Sequence, residues 1–107
     1  MIVYHRTAAA AAIIGDGFRD APGALGLVGA WVSDRPLDSN EGTVAGGTVL
    51  AFVVGTDALA EFELVYDESD APGYREWCAP AAVLNRHAVL VGIYPDTMAE
   101  ELWGLLP

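Results

Sequence analysis

The apolar residues of this chain come in short runs, and that spacing sets the limits on what it can fold into. Residues 2–5, 27–33, 49–54, 63–66, 74–78 and 89–94 are β-prone stretches separated by Gly, Pro, Asp and Asn. The run at 49–54 is continuously apolar and predicts a buried strand. Helical pattern is scarcer. Thr7 is placed to cap an alanine-rich helix over about residues 8–14, which Gly15 and Gly17 stop before Phe18 turns back to the core. Thr56 or Asp57 caps one or two turns over 57–62, and a short turn over 81–84 follows Pro80. Asp96 or Thr97 caps a last helix through about Leu105, with Met98, Leu102 and Leu105 on one face. Residues 20–26, 34–47 and 67–73 carry turn chemistry, with Asn40, Gly42, Gly46 and Gly47 in the longest of these loops. No repeat or linker divides the chain, so residues 1–107 are expected to form a single domain. The expected class is α+β, a small and mostly antiparallel sheet with one or two short helices.

Charge then removes whole classes of function. Fifteen acidic residues face five basic ones, the formal net charge is -10, and there is no lysine. Such a field repels phosphate backbones and anionic lipid, so neither nucleic acid nor a membrane surface is an expected partner. Absence of lysine also removes Schiff-base chemistry and a P-loop lysine. Every cationic contact has to come from Arg6, Arg19, Arg35, Arg75 or Arg86. No apolar run approaches the roughly 18 residues that span a bilayer. The opening Met-Ile-Val-Tyr-His-Arg reads as a strand and not as a signal peptide, which makes the cytoplasm the expected compartment. Cys78 is the single cysteine, which excludes an internal disulfide and a cysteine-based zinc cluster. Its plain reading is a small core residue. His5 and His87 sit at no spacing that supports a metal site.

Gly15-Asp16-Gly17 is a fragment of a dinucleotide-binding glycine pattern, but it follows a helix and reads as a helix stop. Three constellations remain. The first is the polar triplet His5-Arg6-Thr7 at the end of a buried strand. The second is Gly29-Ala30-Trp31-Val32-Ser33-Asp34, where the period of two puts Trp31 and Ser33 on one sheet face. The third is Tyr74-Arg75-Glu76-Trp77, with a carboxylate between two aromatic rings. Each also has a purely structural reading: a satisfied strand-end histidine, a core tryptophan, a solvated edge glutamate.

In their order along the chain these three resemble the ADP-ribosyltransferase fold, in the branch with a His-Tyr-Glu triad shared by diphtheria-like toxins and poly(ADP-ribose) polymerases. Ile13-Ile14 and Gly17-Phe18, after the first strand, are similar to the Ile-Leu pair and Gly-Phe or Gly-Leu that the family carries there. The resemblance covers residues 3–77 and implies a split sheet that binds NAD as substrate. It implies catalytic roles for Glu76 and His5, and cofactor-binding roles for His5, Arg6, Thr7, Trp31 and Ser33. On this pattern His5 bonds the adenosine-side ribose, and the Arg6 backbone holds the nicotinamide carboxamide. Trp31 stacks on the nicotinamide ring, and Glu76 accepts a hydrogen bond from the ribose 2′-hydroxyl. Arg6 or Arg35 meets the pyrophosphate.

The chain departs from the family at several points. Arg6 stands where a glycine is usual, Trp31 replaces a tyrosine, and a glycine-rich stretch around Gly42 falls where a second stacking tyrosine is expected. Glu63 rivals Glu76 as the key carboxylate. The implied function is an NAD-dependent ADP-ribosyltransferase or NAD glycohydrolase, toxin-like, acting on a protein or small-molecule acceptor. The alternative is a non-catalytic acidic binding or regulatory module on the same fold. Its run Asp67-Glu68-Ser69-Asp70 would meet a basic protein partner, or is simply a solvated turn.

Overall fold

The structure is a computed structural model that describes residues 1–23, 26–36, 47–66 and 73–95. Expected features at 37–46, 67–72 and 96–107, including the last helix and the acidic run, lie outside the described residues. The order is β1 (Ile2–Thr7), α1 (Ala10–Asp16), β2 (Ala21–Pro22), β3 (Val28–Ser33), β4 (Thr48–Val53) and α2 (Thr56–Leu59). A 3-10 turn (Ala60–Phe62), β5 (Glu76–Ala79), α3 (Ala81–His87) and β6 (Val89–Pro95) complete it. The chain is thus a small α+β domain with an antiparallel sheet. Its three short helices exceed the one or two expected.

In the sheet, β2, β3, β1, β4 and β6 lie side by side in that order, and β5 pairs with β3. Pairing of β1 with β4 runs the whole strand, from Ile2 opposite Val53 to Thr7 opposite Thr48. Pairing of β1 with β3 consists of Tyr4 opposite Ser33 alone. The sheet is therefore split between β1 and β3. Beyond the split, β3 and β5 pair again from Ser33 opposite Glu76 to Ala30 opposite Ala79.

Alternation sorts side chains between two faces. One face packs Val3, Val32, Leu50, Phe52 and Trp77 into the main core, with Leu59 of α2, Leu84 of α3 and the partly buried Ala10 and Ile13 of α1. Each fully buried large apolar side chain contributes about 1.5–3 kcal/mol, which is why segments this short hold their shape. The other face has a smaller cluster of Tyr4, Val49 and Ala51, with Tyr94 against it.

Several ends differ from the sequence pattern. Thr7 remains in β1, and its Oγ1 accepts from the Ala9 N–H at 2.8 Å, so it organises the turn before α1 and is not the helix cap. Gly55, not Thr56 or Asp57, precedes α2. The expected strand at 63–66 reduces to one bridge, Glu63 opposite Trp77. Helix α3 runs on to His87, past the expected 81–84, and its Asn85 side chain bonds outside the helix. The Phe18 N–H donates to Asn85 Oδ1 at 2.7 Å, and Asn85 Nδ2 donates to the Phe18 carbonyl at 3.0 Å. The side chain behaves as a strand of one residue, tying α3 to the segment after α1. Gly17, at φ +89°, is required here: a Cβ on it would stand 2.7 Å from Asn85 Oδ1. Asp20 Oδ1 accepts from the Ala81 N–H at 2.7 Å, supplying from a distance the helix cap that Pro80 cannot give.

Asn85→Ala removes both bonds to Phe18 while leaving the helix intact. A loss of about 2 kcal/mol in unfolding free energy is expected, and chemical denaturation measures it. A change within a few tenths of a kcal/mol would mean that the clamp carries no load.

Candidate functional site

The site is built where the sheet splits. Ser33 stands directly opposite Tyr4 of β1 on one side and Glu76 of β5 on the other, so a row of side chains crosses three strands on one face. By alternation Arg6, Trp31 and Cys78 share that face, which is the face away from the main core. Trp31 and Ser33 are on one face, as their spacing predicts. Glu76 joins them there, buried at 8% exposure and not solvated on an edge.

The Tyr66 hydroxyl donates to Glu76 Oε2 at 3.1 Å. Burial pushes the Glu76 carboxyl above the ordinary carboxylate range, against a smaller downward pull from the Tyr66 bond. The phenols answer in kind. Tyr66 is pushed up to about 12, by burial first and then by its bond to Glu76 and the charge there. Tyr74 is raised by burial and by the same carboxylate. Cys78 is raised by burial first, then by Asp20 and Glu76.

Glu63, the rival carboxylate, is held differently. Arg75 Nε and Nη2 donate to its Oε2 at 3.0 Å and its Oε1 at 2.7 Å, and the guanidinium also lies 5.0 Å from the Trp77 ring. That bidentate pair holds the Glu63 carboxyl below its ordinary range. Both oxygens of Glu63 are occupied, whereas Glu76 has one bonded oxygen. The Arg75 N–H also donates to Asp34 Oδ1 at 2.8 Å, which fixes the chain just before Glu76.

His5 goes elsewhere. Its ring is 1% exposed and points into the main core, where it meets Phe18 edge-on at 5.1 Å between centroids. Nδ1 lies 2.5 Å from the Trp31 carbonyl, and because a carbonyl only accepts, Nδ1 carries the proton. The imidazole therefore bridges β1 to β3 at the split, where the ladder bonds lapse. The structure brings Trp31, Ser33 and Glu76 to one face and turns His5 to the other. His5, expected at the ribose, makes its contact with the Trp31 carbonyl. Other expected contacts are also engaged. Ser33 Oγ donates to the Arg35 carbonyl at 2.6 Å, Thr7 is fully buried, and Arg6 is 4% exposed.

Trp31 adds a feature that its type alone does not predict. At 8% exposure its indole Nε1 has no hydrogen-bond partner, and Gly23 lies so close to the indole that a Cβ there would collide with Nε1. A buried donor left unmade costs roughly 1–3 kcal/mol, and among the described residues nothing offsets it. Tyr66 was not visible as a site residue: it lies ten positions before Glu76, and only the fold brings the two together.

On the core side, α1, α3 and the sheet leave an apolar recess of about 220 Å³ lined by Ile13, Ile14, Phe18, Phe52, Leu84 and Leu90, on the opposite side of the sheet from Glu76. No helix among the described residues is long and apolar enough to cross a membrane. Comparison with protein-family models, with curated proteins and with solved structures gives no match.

Proposed function

We propose that the chain is an NAD-dependent ADP-ribosyltransferase or NAD glycohydrolase, toxin-like and acting in the cytoplasm on a protein or small-molecule acceptor. One observation carries the reading. Among the described residues, a buried carboxylate with one unbonded oxygen shares a sheet face with a buried indole N–H that lacks an acceptor, beside the split in the sheet. The strands that bear His5, Trp31 with Ser33, and Glu76 are also consecutive neighbours, in keeping with the resemblance.

The chemistry follows from charge. When the bond between nicotinamide and ribose breaks, its electron pair leaves with nicotinamide and the sugar becomes cationic. The Glu76 carboxylate, accepting from the ribose 2′-hydroxyl, stabilises that cation more than the neutral-sugar ground state. Trp31 offers a ring and an N–H to the leaving group, which fixes its geometry before reaction. Water or an acceptor nucleophile then bonds to the sugar carbon and releases its proton to solvent. Arg6 or Arg35 supplies the cation for the pyrophosphate. His5 acts from the far face, by holding the Trp31 carbonyl.

A second reading has a specific observation in its favour. With His5 in the core and Ser33 Oγ bonded to backbone, the face also suits a non-catalytic acidic module for a basic protein partner. Incubation with NAD, followed by chromatography for free nicotinamide, separates the two. Release above the spontaneous rate is the expected result. Absence of both release and NAD binding at millimolar NAD would leave the binding module.

A further inference from the structure

The geometry points to Tyr66 as a positioning residue for Glu76: its hydroxyl holds Oε2 and thereby turns Oε1 toward the substrate. This rests on the reading of Glu76 as the reactive carboxylate, but its physical content can be measured without NAD. The bond spans 3.1 Å between side chains ten positions apart, and Glu76 is 8% exposed. A carboxylate held at one oxygen cannot rotate freely about its last bond, so its other oxygen is presented in one direction. Among the described residues no second hydrogen bond reaches this carboxylate.

Among the described residues Tyr66 is alone in that role. The described titratable groups facing Glu76 are Tyr66, Tyr74 and Cys78, and of these only Tyr66 bonds to it. Ser33, directly across the strand pair, spends its proton on the Arg35 carbonyl. Arg75, the adjacent cation, is committed to Glu63. A phenol is also suited to the task chemically. It donates without bringing a positive charge, so it orients the carboxylate without neutralising the charge that must face a cationic sugar.

The test is a pair of titrations followed by carbon-13 NMR, on full-length protein labelled at Glu Cδ and Tyr Cζ. Glu76→Gln identifies the Glu76 signal and Tyr66→Phe the Tyr66 signal. In wild type the Tyr66 phenol is expected to titrate at about 12. It should fall in Glu76→Gln, where the negative acceptor is gone, and the Glu76 carboxyl should rise further in Tyr66→Phe, where its donor is gone. With NAD, Tyr66→Phe should lower kcat about tenfold with little change in KM and move the acid limb of the pH profile upward. Tyr66→Phe keeps the ring, and unchanged amide spectra elsewhere confirm that it folds. Titrations of each residue that ignore the loss of the other would overturn the proposal, whatever the activity. Coupled titrations in a protein that releases no nicotinamide would retain the oriented carboxylate and remove the NAD reading instead.

Discussion

Glu76→Gln is expected to lower nicotinamide release on the order of 10²–10³-fold and, in the same variant, to raise the melting temperature at neutral pH. The first effect is the usual size for removing one preorganised electrostatic partner of a transition state. Gln keeps the shape and can still accept from Tyr66, so the loss falls on the charge. The second effect follows from linkage. Burial raises the Glu76 carboxyl above its ordinary value of 4.5, so the native state holds this proton to a higher pH than the unfolded chain does. The contribution to stability is whole below the unfolded value and is lost as pH climbs through the raised native value. Gln has no proton to lose. Its melting temperature should therefore exceed that of wild type at pH 7, and the gap should narrow toward pH 4. Thermal melts at the two pH values decide it. A variant less stable than wild type at pH 7 would mean that the ionised carboxylate is a structural asset and not a functional one held at a cost to stability.

Trp77→Ala carries the largest expected loss of stability, about 3–5 kcal/mol. Trp77 is 1% exposed and follows Glu76 in β5, on the core face, opposite Val32 of β3 and bridged to Glu63. Its ring also receives the Arg75 guanidinium, so the substitution opens the core and loosens the Arg75–Glu63 pair together. Such a loss is a large fraction of a total stability of roughly 5–15 kcal/mol. Urea denaturation of Trp77→Ala and Trp77→Phe gives the measurement, with Phe expected to recover most of the loss. A midpoint for the Ala variant close to wild type would place Trp77 outside the core.

Most strands could be read directly because their apolar runs are short and separated. The runs at 27–33, 49–54 and 89–94 became Val28–Ser33, Thr48–Val53 and Val89–Pro95. The opening strand is longer than its apolar part, because His5, Arg6 and Thr7 are buried at the split and bonded there instead of marking the strand's end. The expected caps Thr7 and Thr56 or Asp57 differ from the observed Ala9 and Gly55, and the Ala81 N–H is met by Asp20, which is distant in sequence. The turn expected over 81–84 runs on to His87, and the partner of Asn85, Phe18, is distant in sequence. For the site, a period of two sufficed to pair Trp31 with Ser33. The face that His5 takes depends on its register with a strand about 26 positions away, which no local pattern encodes. Tyr66 was missed for the same reason.

The central claim is that ligand chemistry belongs to the Trp31–Ser33–Glu76 face, with His5 serving as a bolt behind it. The Trp31 indole N–H reports on this directly, since it is a buried donor with no partner of its own. In amide and indole NMR spectra recorded through a titration with NAD, that signal should move downfield, together with the Ser33 and Glu76 amides. Perturbations confined to Phe18, Leu84 and Asn85 on the opposite face, or none at millimolar NAD, would contradict the account.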